Sequence, residues 1–217
     1  MHPSLFDDPA QPTRPPELLE PGAMVLHGFA LERAGDLLRA VDGVVGQAPF
    51  RHLVTPGGLT MSVAMTNCGP LGWTSDRSGY RYTAIDPTTA RAWPPMPVLF
   101  RQLAREAAEA AGYGGFAPDT CLINRYTPAS KLSLHQDRDE GHYEHPIVSV
   151  SLGIAAQFLW GGALRAAPTR RVALLHGDVV VWGGPARLRF HGVRPLAQAT
   201  HPLTGACRIN LTFRKAG

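Results

Sequence analysis

From residue 118 to the C-terminus the chain carries eight short strand-like segments with no helical periodicity between them: TCLINRY, KLSLHQ, IVSVSLG, AQFLW, RRVALL, DVVVW, RLRFHGV and CRINLTFR. Strands this short need several neighbours to be stable. At this spacing, with turn residues in place of helical crossovers, they pair antiparallel and stack as a sandwich or jelly roll. Upstream, Leu31, Ala34, Leu38, Val41 and Val45 recur every three or four positions and predict an amphipathic helix interrupted by Gly35 and Gly43. A second helix is predicted after Pro95 and Pro97, through VLFRQLAREAAEAAG, with Gly112 as its stop. The fold class is therefore α+β, with two helices outside a double-sheet β core. Between the helices, VTPGGLTMSVAMTNCGPLGWTSDRSGYRYT is rich in glycine and threonine and predicts one or two surface hairpins. Residues 1–20, proline-rich and without apolar pattern, read as a flexible lead-in to a single domain over 21–217.

Composition narrows the function classes. No uncharged apolar run is long enough to span a bilayer and the N-terminus has no signal-peptide pattern, so a cytoplasmic protein with no membrane partner is expected. Cys68, Cys121 and Cys207 are odd in number and lack CxxC spacing, which argues for free thiols rather than a disulfide framework or structural zinc. The net charge of +4 suits a polyanionic partner, although the arginines are scattered and form no basic tract. Nothing suggests a dimer interface, and a monomer is expected.

The chemistry concentrates in LSLHQDRDE. Residues two apart on a strand share a face, so His135 and Asp137 can share one ligand if the strand or its frayed end reaches that far. A metal needs a third group, and His191 in RLRFHGV, with Gly192 behind it, is the best candidate. Two histidines and one carboxylate on one side of a metal leave the opposite positions open, the arrangement of non-haem Fe(II) oxygenases. CRINLTFR alternates strictly, with Arg208, Asn210, Thr212 and Arg214 on one face and Ile209, Leu211 and Phe213 on the other. Arginine grips carboxylates through two parallel hydrogen bonds. The two arginines stand roughly 20 Å apart along an extended strand, so one is expected at the far end of a diacid and the other near a metal-bound end. Leu122, Asn124 and Tyr126 share a face of LINRY, which offers an amide and a phenol to the same pocket, or else forms an amphipathic edge strand.

Taken together, TPGG, MSVAMTNCG, LGW, CLINRY, KLSLHQDRDE, PIVSVSLG, HGDVVVWGG and RINLTFR, in that order from about Met24 to Gly217, resemble the AlkB family of Fe(II)- and 2-oxoglutarate-dependent dioxygenases, most closely its bacterial DNA-repair members. The resemblance implies a double-stranded β-helix over about 118–217 and a nucleotide-recognition lid over about 50–95. It implies Fe(II) on His135, Asp137 and His191, 2-oxoglutarate on Asn124, Tyr126, Arg208, Asn210 and Arg214, and O₂ as second cosubstrate. Trp73 and Tyr80 would bind the base, with Met65 and Asp139 nearby, and Arg165 would contact the nucleic-acid strand.

The implied reaction removes methyl groups from base nitrogens, as in 1-methyladenine or 3-methylcytosine, releasing formaldehyde, succinate and CO₂. Its substrate would be single-stranded or flipped-base DNA, with RNA as a further candidate. A hydroxylase of proteins or small molecules, and a non-catalytic β-sandwich that binds nucleic acid, are the competing readings. The chain departs from the bacterial pattern at Leu59, where an aromatic residue follows TPGG, and at GHYEHP, which brings in His142 and His145.

Overall fold

All eight segments after residue 118 contain a strand, and they are dealt four to each of two facing sheets, RLRFHGV being strand only over His191–Val193. The computed structural model describes residues 14–217. The N-terminal half contributes β1 (Glu17–Glu20), β2 (Ala23–Leu26), α1 (Ala34–Val45), β3 (Arg51–Val54), β4 (Thr60–Cys68), β5 (Gly72–Asp76), β6 (Gly79–Thr83), β7 (Ile85–Asp86), β8 (Arg91–Ala92) and α2 (Val98–Ala110). Then follow β9 (Thr120–Tyr126), β10 (Leu132–His135), β11 (Ile147–Gly153), β12 (Ala156–Trp160), β13 (Arg170–Leu174), β14 (Val179–Trp182), β15 (His191–Val193) and β16 (Arg208–Arg214). The large sheet runs β1-β2-β14-β11-β16-β9-β4-β3 and the small one β10-β15-β12-β13, with β5-β6 and β7-β8 as separate hairpins. Each sheet thus takes four of the last eight strands, which is a jelly roll with antiparallel pairing throughout.

The alternation of β16 decides which face meets what. Ile209, Leu211 and Phe213 pack with Val148, Val150, Ile123 and the buried stripes of the two helices, Leu37, Val41 and Val44 from α1 and Phe100, Leu103 and Ala107 from α2. Each of the three contributes about 1.5–3 kcal/mol through burial. The opposite face, bearing Arg208, Asn210, Thr212 and Arg214, is also buried and turns inward between the sheets. There the second apolar cluster joins Leu122, Val180 and Trp182 of the large sheet to Phe158, Val172 and Val193 of the small one.

Helix α2 follows Pro97 and closes at Gly112 (φ +85°), where the Gly112 amide bonds Glu109 O and the Tyr113 amide bonds Ala108 O. Helix α1 runs unbroken through Gly35 and Gly43, contrary to the expected interruptions, because Leu37, Val41 and Val44 anchor it to the core.

Two boundaries differ from the sequence reading. Residues 1–13 of the expected lead-in lie outside the described residues, but Glu17–Glu20 is a strand paired with β2. Its acidic residues have partners far along the chain: Glu20 accepts from Arg189 Nη2 (2.6 Å) and Trp160 Nε1 (2.9 Å), and Glu17 pairs with Arg170. The expected hairpin region also divides. Strands β3 and β4 belong to the large sheet, β4 pairing with β9 from Ala64↔Arg125 to Cys68↔Cys121, and only β5–β8 stand apart. Strand β9 is accordingly central, not an edge. No helix among the described residues is long and apolar enough to cross a membrane.

Candidate metal centre and active site

Strands β10 and β15 set His135 directly opposite His191, their ring centroids 4.4 Å apart. Gly192 permits this approach, since a Cβ there would lie 2.7 Å from Leu132 O. The Nδ1 of His135 lies 2.9 Å from Ser133 O and that of His191 3.0 Å from Arg189 O. A carbonyl only accepts, so Nδ1 carries the proton in both rings and Nε2 offers its lone pair to the interior. Strand β10 ends at His135, and Asp137 reaches the same point from the irregular segment beyond it. Its Oδ1 is 3.5 Å from His135 Nε2 and its Oδ2 3.8 Å from His191 Nε2, and one ligand atom from each of the three residues falls within 4.8 Å of the others. The loop histidines His142 and His145 stay outside this cluster and engage Glu144 instead.

Arg214 donates to Asp137 Oδ2 twice, from Nη2 at 2.7 Å and from Nε at 3.0 Å, which leaves Oδ1 free. Burial alone would raise the Asp137 carboxyl, but Arg214 and the two histidines together outweigh it and hold the group well below the usual carboxylate range. Burial, reinforced by His135, pushes the His191 imidazole down to about 4, so it is neutral at pH 7 as a metal ligand must be.

The rest of the inward face of β16 is set for an anion. Arg208 is 1% exposed, its guanidinium lies over the Tyr126 ring at 5.0 Å, and Nη2 donates to Ser151 Oγ at 2.9 Å. Its Nε and Nη1 are buried without partners, as are Arg214 Nη1 and Asn124 Oδ1. A buried guanidinium with no counter-charge is costly, and a dicarboxylate ligand would satisfy these groups. Asn124 Nδ2 donates to Asn210 Oδ1 (3.2 Å), and Asn210 Nδ2 to Ser149 Oγ (2.8 Å), fixing both amides. These donors fit 2-oxoglutarate, and the His135–Asp137–His191 set fits Fe(II).

A cavity of about 800 Å³ opens above this floor. Every residue expected from the sequence to hold the metal, the cosubstrate or the base lines it except Arg208, which is covered by its neighbours. Trp73 on β5 and Tyr80 on β6 stack with centroids 5.5 Å apart and planes 15° apart, and Trp73 Nε1 donates to Asp139 Oδ2 at 2.9 Å. Met65 is buried on β4. Arg165, on the loop after β12, donates to Leu134 O at 2.6 Å and sits 5.8 Å from the Phe190 ring centroid. Leu59, at the β3–β4 turn, is 73% exposed at the cavity edge.

Three residues of the site carried no sequence signal strong enough to single them out. Glu140 and Arg187 are buried and paired through Glu140 Oε2 (3.1 Å), and Tyr82 donates to Glu140 Oε1. Glu140 stands in the same acidic stretch as Asp137, which was the available hint. Arg187 and Tyr82 approach it from 47 and 58 positions away.

The chain is similar to known proteins in sequence and in fold. Residues 22–214 match the family model described as 2OG-Fe(II) oxygenase superfamily. The chain is 57% identical over 213 residues to the alpha-ketoglutarate-dependent dioxygenase AlkB of Escherichia coli (strain K12), covering 98% of this chain and 97% of that one. The DNA N(6)-methyladenine demethylase ALKBH1D of Arabidopsis thaliana is 40% identical over 111 residues, 45% of this chain and 25% of that protein. The solved structure of OsALKBH1 superposes with a TM-score of 0.82 at 31% identity, over 93% of this chain and all of that one. A metal-ready His–Asp–His set, an unpaired buried arginine on a jelly-roll strand and these matches agree: the chain belongs to the 2OG-Fe(II) oxygenase superfamily and, within it, to the AlkB family, with Fe(II), 2-oxoglutarate and O₂ as its cofactor and cosubstrates.

Proposed function

We propose that the protein demethylates N-alkylated bases such as 1-methyladenine and 3-methylcytosine in DNA, and in RNA as a second substrate, acting in the cytoplasm as a monomeric repair enzyme. The observation that carries this reading is the stacked Trp73–Tyr80 pair pinned by Asp139 over a cavity whose floor is His135, Asp137 and His191. Iron, 2-oxoglutarate and O₂ supply, when bound, the oxidative decarboxylation to succinate and CO₂ that is coupled to hydroxylation of the methyl group, which then leaves as formaldehyde.

The chain's own residues do the remaining work. His135, Asp137 and His191 hold the metal, while Asn124, Tyr126, Arg208, Asn210 and Arg214 hold the cosubstrate. Arg208 takes the carboxylate remote from the metal and Arg214 the one beside it. A methyl on the pairing edge of a base is out of reach in a duplex, so the substrate is a single strand or a flipped nucleotide. Trp73 and Tyr80 give its base an aromatic surface worth about 1–3 kcal/mol. Met65 packs beneath it, Asp139 favours the cationic alkylated base over the neutral one, and Arg165 meets the phosphate backbone. The segment over about 50–95 serves as the lid, with the hairpin β5–β6 and the adjoining β3–β4 turn as the parts that line the cavity.

Succinate formation tests this reading. It should rise on adding a single-stranded oligonucleotide with one 1-methyladenine and not on adding peptides. Stimulation by peptides alone would assign the same iron site to a protein hydroxylase.

A further inference from the structure

The metal-binding carboxylate is held by a buried group of charges that reaches the hairpin. Asp137 lies beyond the last ladder bond of β10, so no strand pairing fixes it. Its side chain is held by Arg214 and its main-chain carbonyl by Arg187 Nη1 at 2.7 Å. Between these two guanidiniums sits Glu140, 4% exposed: Oε2 accepts from Arg187 Nη2 (3.1 Å), and Oε1 lies 3.3 Å from Arg214 Nε and accepts from the Tyr82 hydroxyl. Arg187 Nε also bonds His145 O at 3.1 Å, closing the loop that follows Asp137. Two carboxylates and two guanidiniums, all under a tenth exposed, therefore balance in charge beside the metal ligands.

Tyr82 pairs across the hairpin with Trp73, so their side chains share a face, and that face is tied to consecutive residues: Trp73 to Asp139 and Tyr82 to Glu140.

We propose that Glu140 is a positioning residue that sets both halves of the site: it holds Arg214 on one oxygen of Asp137, and through Tyr82 it fixes the height of the Trp73–Tyr80 surface above the metal. The hairpin half rests on the functional reading given above; the metal half does not. Without the Glu140 charge, two buried cations would face a site that must accept a third, and Arg214 would be free to swing across both oxygens of Asp137.

The test is a Co(II) titration of the apoprotein, followed by visible absorption, with Glu140→Gln, Glu140→Asp and Tyr82→Phe. Glu140→Gln should weaken Co(II) about 10–100-fold, the usual effect of losing a partner behind a metal ligand. Glu140→Asp, which keeps the charge, should recover most of the loss. Tyr82→Phe removes one charge-assisted hydrogen bond and should leave Co(II) affinity close to wild type. In the Co(II)- and 2-oxoglutarate-loaded protein it should weaken binding of a 1-methyladenine oligonucleotide about tenfold. Wild-type Co(II) affinity in Glu140→Gln, or equal losses in the Gln and Asp variants, would overturn the positioning role. Undiminished oligonucleotide affinity in Tyr82→Phe would overturn the tie to the hairpin. If the wild-type protein binds no such oligonucleotide, the functional reading fails, and the Co(II) arm still decides the role of Glu140.

Discussion

The site depends on single atoms left without partners. Arg208 keeps two nitrogens buried and unbonded, Arg214 keeps one, and Asp137 keeps Oδ1 clear because Arg214 covers Oδ2. These residues were legible in the sequence because the chemistry allows few substitutes: HxD, a downstream histidine, and arginines at the ends of an alternating strand. Tyr82 and Arg187 escaped because a tyrosine in a hairpin and an arginine at the start of a strand-like segment look like solvated residues until the fold buries their polar ends. The Arg208 guanidinium makes a specific prediction. Arg208→Lys offers one ammonium where a planar fork stood, and should raise the KM for 2-oxoglutarate about 10–100-fold with a smaller change in kcat. Steady-state kinetics at varied cosubstrate checks this; an unchanged KM would mean that the remote carboxylate is held elsewhere.

At the scale of elements, the metal set depends on how closely two short strands approach. Gly192 faces only backbone, Leu132 O at 2.7 Å and Leu134 N at 3.2 Å from where a Cβ would stand. Gly192→Ala should therefore push β10 from β15 and separate His135 from His191, weakening Co(II) at least about tenfold, again the scale of a lost supporting contact. An alanine variant with intact Co(II) affinity would show that the strands can part without moving the imidazoles.

A second element-scale prediction concerns pH. Asp86, at the start of the β7–β8 turn, is buried, bonded by Arg51 Nη2 at 2.6 Å and by the Thr88 amide at 2.9 Å. Burial would raise its carboxyl, but Arg51 and the hydrogen bonds from the β7–β8 turn together outweigh it and hold the group below its ordinary 3.8. A depressed carboxylate contributes in full above its unfolded value and loses that contribution as pH falls through the folded one. Asp86→Asn should cost about 2–3 kcal/mol at pH 7, and the deficit should shrink below pH 3.8. Urea unfolding at both pH values measures it, and a deficit that does not change with pH would refute the assignment. Period-2 and period-3.6 patterns revealed every strand after residue 118 and both helices. They missed β1, which is half acidic and whose charged side chains find their partners more than 130 positions away, and they did not place β4 in the large sheet, because the glycines before it resemble the start of a surface loop.

For the whole molecule, the two apolar clusters lie on opposite faces of the large sheet, one under the helices and one between the sheets. The second core leaves space at its polar end, and that space is the cavity. The polar face of β16 allowed two readings from sequence, solvent or pocket, and only the closing of the small sheet over it decides for the pocket. The central claim is that this cavity brings an alkylated base to an iron site. The most direct measurement is mass spectrometry of a single-stranded oligonucleotide with one 1-methyladenine, incubated in air with the protein, Fe(II), ascorbate and 2-oxoglutarate, beside reactions lacking 2-oxoglutarate or using Asp137→Ala. Loss of one methyl group in the complete reaction alone is the predicted result. An unchanged oligonucleotide alongside clear succinate formation would contradict the claim, leaving the iron and arginine site standing and removing the base from Trp73 and Tyr80.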